Sequence, residues 1–237
     1  MVFENYLSSG MHIGMKQQTK DMKKFVYKVR SDGLSVLNIS LIDERIKTAA
    51  KMLAKYDRII VVSRKMMGQK PAVKFAEAIG GKAITGRFLP GTVTNPAFRG
   101  YFEPNILIVT DPLIDKQAVT EAVRMRIPII ALCDTFNETT MVDFVIPCNN
   151  KGRKSLAMVM WSLGREYLKA KGRIATYEEF TAKPEEFESE EVSKEEMSED
   201  GMRRPRMGGA GRITTRVVGD GELDRASGRW LGTWALE

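Results

Sequence analysis

The sequence predicts an α/β domain with a parallel sheet and helices on both of its faces, and three observations predict it. Apolar runs of strand length alternate with segments of helical period from Leu34 to Lys171. Several of those runs, Ile59 to Val62 and Ile106 to Val109 among them, are apolar at every position, as in strands covered on both sides. The helical segments each carry one apolar stripe, formed by Ile46, Ala49, Ala50 and Leu53 in one and by Leu156, Val159, Met160, Leu163 and Tyr167 in another. Strand and helix in turn make βαβ units, and the loops leaving the carboxyl ends of their strands form the usual binding edge.

Taken in order, residues 1–33 form a basic N-terminal arm. Within it "HIGMKQQTKDMKKFVYKVR" sets Lys16, Lys20, Lys23, Lys24, Lys28 and Arg30 against Asp21, with Phe25 and Tyr27 interleaved, and reads as an arm laid across the domain. The domain itself spans 34–172. "LSVLNI" is its first strand and "DERIKTAAKMLAKY" its first helix, and "RIIVVS", "PAVKFAEAIG" and "KAIT" follow as strand, helix and strand. "NILIVT", "DKQAVTEAVRMR", "PIIALC" and "DFVIP" continue the alternation, and "RKSLAMVMWSLGREYLKAK" closes it as the longest helix. This order collects "SRKMMGQKP", "TGRFLPGTVTNP", "TDPLID" and "CDTFNET" at the binding edge. Pro90-Gly91 is the preferred central pair of a type II turn, so the loop that displays Arg87, Thr92, Thr94 and Asn95 is pinned. A pinned loop can bind a partner, or its threonines can serve only to cap turns. After Lys171 the pattern stops, and 173–237 reads as a disordered tail, acidic and then rich in Arg and Gly, with few apolar anchors.

The formal charge of +7 hides a far more basic remainder. Eleven acids between 178 and 200 face only Lys183 and Lys194, which leaves 35 basic residues against 19 acids elsewhere, near +16. That balance suits a polyanion. No run reaches transmembrane length and Met1 to Gly10 lacks the pattern of a signal peptide, so a cytoplasmic protein with no membrane role is expected. Cys133 and Cys148 each follow an apolar run without C-x-x-C spacing and are expected as free, buried thiols.

Catalytic chemistry finds few residues here. His12 is the only histidine, which excludes a two-histidine metal site within the chain. "GRKS" at 152–155 imitates the end of a P-loop, but Pro147 stands where the first glycine belongs. Asp111 in "TDP" and Asp134 in "CDT" follow strands at the binding edge, and an alternative reading makes the chain a doubly wound nucleotide-binding enzyme that uses both with magnesium. As helix caps and turn formers the two aspartates have a plainer explanation. Polyanion binding draws instead on three places: the arm, the Arg87 loop, and "NNKGRKS", where a helix start, Lys151, Arg153 and Lys154 can converge on one phosphate. No cofactor, metal or small-molecule substrate is expected.

From about Tyr6 to Gly172 the chain resembles the small-subunit ribosomal protein family "S-two" in its archaeal form. The resemblance rests on "GMHIG", "RSDGLSVLNISLIDERI", "GRFLPGTVTNP", "VTDPLIDKQAV", "IPIIALCDT" and "DFVIPCNNKGRKS". Bacterial members carry a helical insertion after the threonine-rich loop, whereas only Ala97 to Glu103 intervenes here. The resemblance implies a flavodoxin-like domain and a structural, non-enzymatic role in the small ribosomal subunit near the junction of head and body. It further implies contacts with the subunit's ribosomal RNA and with neighbouring ribosomal proteins. By position in the motifs, it implies RNA contact at His12, Lys16, Lys20, Lys23, Lys24, Lys28 and Arg30, at Arg64 and Lys65, at Arg87, Thr92, Thr94 and Asn95, and at Lys151, Arg153 and Lys154. "RITTRVVGDGELDRASGRWLGTWALE" matches no part of that pattern.

Overall fold

Two sheets divide the strands. In the computed structural model, which describes residues 2–189 and 217–218, α1 (Val2–Ser8) leads into an antiparallel ribbon of β1 (Val26–Val29) and β2 (Ser35–Leu37). The segment "LSVLNI", expected as the first strand of the main sheet, belongs to this ribbon instead. The arm doubles back at Arg30, whose N–H donates to the Leu34 carbonyl, and so offers it an antiparallel neighbour before the main sheet begins. Next comes α2 (Ile39–Leu53), started by the Asn38 side chain accepting from the Ser40 N–H.

The main sheet follows as β3 (Ile59–Ser63), α3 (Met66–Ile79), β4 (Lys82–Thr85), β5 (Ile106–Val109), α4 (Lys116–Arg124), β6 (Ile129–Cys133), β7 (Phe144–Pro147) and α5 (Arg153–Ala170), with β8 (Val217–Val218) at its edge. The strands lie in the order β7-β6-β5-β3-β4-β8, the first five parallel and β8 antiparallel to β4. Connections run outward in opposite directions from β3 and from β5. Right-handed crossovers therefore place α3 and α4 on opposite faces, and α5 packs with α2 and α3 on the α3 side. This is the flavodoxin-like order, with its switch point between β3 and β5. Every residue of β3, β5 and β6 is buried, as their unbroken apolar runs require. Cys133 and Cys148 are buried and free, and burial pushes both thiols up, away from reactivity.

Both ends of the domain extend further than the sequence pattern marks them. Tyr6, Met11, Met22 and Phe25 of the arm are buried in the same core as α2 and α5. Residues 173–189, expected as the start of an unstructured tail, form a strap over α3 and α5. Phe187 is 2% exposed, the Trp161 Nε1–H donates to the Ala182 carbonyl at 2.6 Å, and the Trp161 and Phe180 rings lie 5.9 Å apart. Four apolar residues, Ile174, Phe180, Ala182 and Phe187, supply anchors that the acidic composition conceals. The strap also meets a need created by α3, which starts five residues before Pro71. Pro71 has no N–H for the Met67 carbonyl one turn back, and the Ser189 hydroxyl donates to that carbonyl at 2.8 Å. The remaining expectation for the tail, Trp230 and Trp234 included, concerns residues outside those described.

Candidate nucleic-acid interface

At the carboxyl ends of β3, β5 and β6 polar side chains are buried, and buried polar groups need partners. They find one another. Lys65 Nζ lies 2.7 Å from Asp111 Oδ2 and donates to the carbonyl and side-chain oxygens of Asn150 at 2.8 and 3.2 Å. Asp111 Oδ1 accepts from Asn137 Nδ2 and from the Leu113 N–H. Asn137 Oδ1 in turn accepts from the Asp134 N–H and from Asn150 Nδ2. Asp115 accepts from the Arg64 N–H at 2.9 Å and from Thr110 Oγ1 at 3.2 Å. Burial still pushes Asp115 up to about 6, because desolvation of the carboxylate outweighs those hydrogen bonds. Burial raises Asp134 as well, against the Thr135 N–H that donates to its Oδ1.

Two expectations change here. Lys65 is directed inward: its side chain is 16% exposed and its charge is matched by Asp111, so it is not an outward cation. The magnesium reading of Asp111 and Asp134 loses its first ligand, because the Lys65 ammonium already occupies the place beside Asp111 that a cation would take. Among the described residues no group of three His, Cys, Asp or Glu side chains is placed to hold a metal.

The arm crosses this edge with its backbone turned inward. Ile13 bridges to Val36, the Gly14 N–H donates to Ser35 O, and the Thr19 N–H donates to Thr135 O. Side chains add to this: Thr135 Oγ1 accepts from the Met15 N–H at 2.9 Å, and Thr19 Oγ1 donates to Asn137 O at 2.8 Å. Gly14 makes the approach feasible, since a Cβ there would stand 2.5 Å from Thr135 Cγ2. With the backbone occupied, Lys16, Lys20, Lys23, Lys24, Lys28 and Arg30 are left exposed. Asp21 accepts from Thr139 Oγ1 at 2.8 Å, and among the described residues Arg30 alone of this set is paired with an acid, Asp32, at 3.4 Å. His12 is partly buried and serves the ribbon through its carbonyl, which accepts from the Leu37 N–H.

The Arg87 loop behaves differently. Gly91 takes φ +92°, and the Thr92 N–H donates to the Leu89 carbonyl, as the Pro90-Gly91 turn demands. Thr92 is buried and its hydroxyl donates to the same carbonyl at 2.6 Å. Thr94 Oγ1 donates to Glu121, and Asn95 Oδ1 accepts from the Ala97 N–H. The hydroxyls of Thr92 and Thr94 therefore build the loop, while Asn95 is exposed and only its Oδ1 is engaged within it. Glu121 of α4, which the motif reading passed over, holds it: its carboxylate is 2% exposed and accepts from the N–H groups of Gly91 and Val93 at 2.9 and 3.3 Å and from Gln117 Nε2 at 2.8 Å. The signal was present, since Glu121 falls on the apolar stripe of its helix beside Ala118 and Ala122. Arg87 is exposed, and the Gly86 N–H donating to Ser63 O sets its loop beside Arg64, exposed as well.

At the start of α5, Asn149 Oδ1 accepts from the N–H groups of Lys151 and Gly152, and Ser155 Oγ donates to the Asn149 carbonyl at 2.6 Å. Gly152 is the N-cap and brings no side-chain acceptor to the first turn. Lys151 and Lys154 are exposed, and Lys151 Nζ lies 3.3 Å from Met15 Sδ, which joins this helix start to the arm. Arg153 turns toward the strap, with Nη2 3.8 Å from Glu188 and Nη1 donating to Ser189 O. Of the predicted contacts, the exposed cations are thus those of the arm, Lys151 and Lys154 at the start of α5, and the pair Arg64 and Arg87.

Against known proteins, the chain matches the family model described as "Ribosomal protein S2" over residues 6–98 and 101–170. It is 52% identical over 189 residues to the "Small ribosomal subunit protein uS2" of Methanoregula boonei, covering 79% of this chain and 91% of that protein. It is 51% identical over 183 residues to the protein of the same name from Haloquadratum walsbyi, covering 76% of this chain and 66% of that protein.

Proposed function

Since this chain belongs to the ribosomal protein S2 family, we propose that it is a structural constituent of the small subunit of the cytoplasmic ribosome, binding ribosomal RNA through its outward cations. The single observation that carries this reading is the family match, which runs through almost the whole described domain. Members of the family are not enzymes, and the inward-turned Asp111 suits that role. The arm, with Lys16, Lys20, Lys23, Lys24 and Lys28, is the principal RNA contact, and Arg64, Arg87, Lys151 and Lys154 extend it. Those side chains are exposed while the backbone beneath them is held, so they meet phosphates with little loss of chain entropy. Neighbouring ribosomal proteins complete the site near the junction of head and body.

Co-sedimentation with small subunits after a high-salt wash, followed by crosslink mapping, tests the reading. The protein is expected to stay with the subunit and to crosslink to RNA through the arm lysines. Complete loss in the wash, or crosslinks that avoid the arm, would sink it.

A further inference from the structure

The arm carries two aromatic residues two positions apart, and the fold treats them in opposite ways. Phe25 is 4% exposed and packed in the core, with the Arg45 guanidinium 5.3 Å and the Lys24 ammonium 5.2 Å from its ring centroid. Tyr27 is 70% exposed. The register of the ribbon explains the difference. Val26 pairs with Leu37 and Lys28 with Val36, so two steps along β1 match one step along β2, and Tyr27 is the extra residue of a bulge. A bulge leaves its extra residue out of the ladder and re-aims the side chain.

Tyr27 is therefore held out from an ordered strand at the edge of a two-stranded ribbon. Among the described residues no hydrogen bond, ion pair or ring contact engages its side chain. Its neighbours in the chain are exposed cations, Lys24, Lys28 and Arg30, and Val29 beside it is 54% exposed. A ring carried out from an ordered backbone, with cations before and after it along the chain, suits a base lying on the ring while phosphates meet the lysines. Paired RNA does not offer such a base face, because its bases are stacked within the helix.

We propose that Tyr27 is a stacking platform for an unpaired base of RNA, with Lys24 and Lys28 holding the flanking phosphates. This rests on the reading of the arm as an RNA contact and names the class of RNA it takes.

The test titrates the full chain with two short labelled RNAs of equal length, one without self-complementarity and one fully paired. Tyr27→Ala is expected to weaken binding of the unpaired RNA about 5- to 150-fold. Its affinity for the paired RNA and its salt slope should stay at wild-type values, because a neutral ring displaces no counterions. Tyr27→Phe should bind the unpaired RNA as wild type does. A Tyr27→Ala variant that binds unpaired RNA undiminished, or loses equally on both RNAs, overturns the proposal. The double variant Lys24→Gln, Lys28→Gln separates the two levels of the argument. If it flattens the salt response while Tyr27→Ala changes nothing, the arm binds RNA without stacking and only the platform fails. If neither variant alters binding of either RNA, the arm is no RNA contact and both readings fall.

Discussion

The Arg87 loop and the basic arm are both polar segments at one edge of the sheet, yet they face their polar groups in opposite directions. In the loop, the hydroxyls of Thr92 and Thr94 and the Oδ1 of Asn95 are bound within the loop or to Glu121, and Arg87 remains outside. In the arm, the backbone is bound to β2 and to Thr135, and the lysines remain outside. A polar segment becomes a contact surface according to which groups satisfy its backbone. Where side chains satisfy the backbone of their own loop, few are left for a partner. Where strands and neighbouring hydroxyls satisfy the backbone, long cationic side chains stay free to meet one.

The largest effect is expected at Glu121. Glu121→Ala should cost about 2 to 4 kcal/mol in urea unfolding, because it strands the buried N–H of Val93 and the partly buried donors of Gly91 and Thr94. A loss below about 1 kcal/mol would mean that the loop holds itself and that the inward direction of its polar groups is incidental.

Inward polar groups should also make stability depend on pH. Asp115 keeps its proton up to about pH 6 in the folded protein, against an ordinary value of 3.8. Between those values the folded state binds more protons than the unfolded chain, so this group's contribution to stability falls as pH rises from about 4 to 6, by about 3 kcal/mol, and is level above that. Asp115→Asn removes the titration. Its stability relative to wild type should therefore rise by up to about 3 kcal/mol between pH 4 and 7, read from parallel urea curves. Parallel pH profiles for the two proteins would contradict this.

Gly91→Val should cost about 1 to 3 kcal/mol, since a β-branched residue is forced to positive φ and its Cβ presses to 3.3 Å from that of Asn95. Arg87→Ala should leave the thermal transition unchanged and weaken RNA binding alone. The smallest effect on folding is expected from the arm. Replacing Lys16, Lys20, Lys23, Lys24 and Lys28 together by Gln should change stability by no more than about 0.5 kcal/mol per site. The same variant should reduce the salt slope of RNA binding by about 4 if all five meet phosphates. Unfolding of this variant would show that the arm's charges are structural after all.

Much of this was legible in the residues. The unbroken apolar runs predicted buried parallel strands because no polar side chain interrupts them, and Pro90-Gly91 predicted a positive φ because few other residues accept one. What escaped was set by distant partners. Nothing local to Lys65 says that Asp111, 46 positions away, will sit 2.7 Å from its ammonium and turn it inward. The strap escaped because its acidic composition suggests a solvated chain, while a few apolar residues and Ser189 decide its place.

By itself, then, the sequence determined the alternation of strands and helices, the pinned turn, the basic excess and the family. Each of these depends on neighbours along the chain or on residue counts, and such properties survive without a fold. Only the tertiary structure decided which polar groups face outward. It assigned "LSVLNI" to a ribbon with the arm, withdrew Lys65 and Thr92 into hydrogen bonds, and set Tyr27 on a bulge in the open while burying Phe25 two residues before it. The physical reason is that a donor or a ring is available to a partner only when packing and hydrogen bonding elsewhere in the chain leave it free. That depends on which segments meet across the sheet edge, and only folding brings them together.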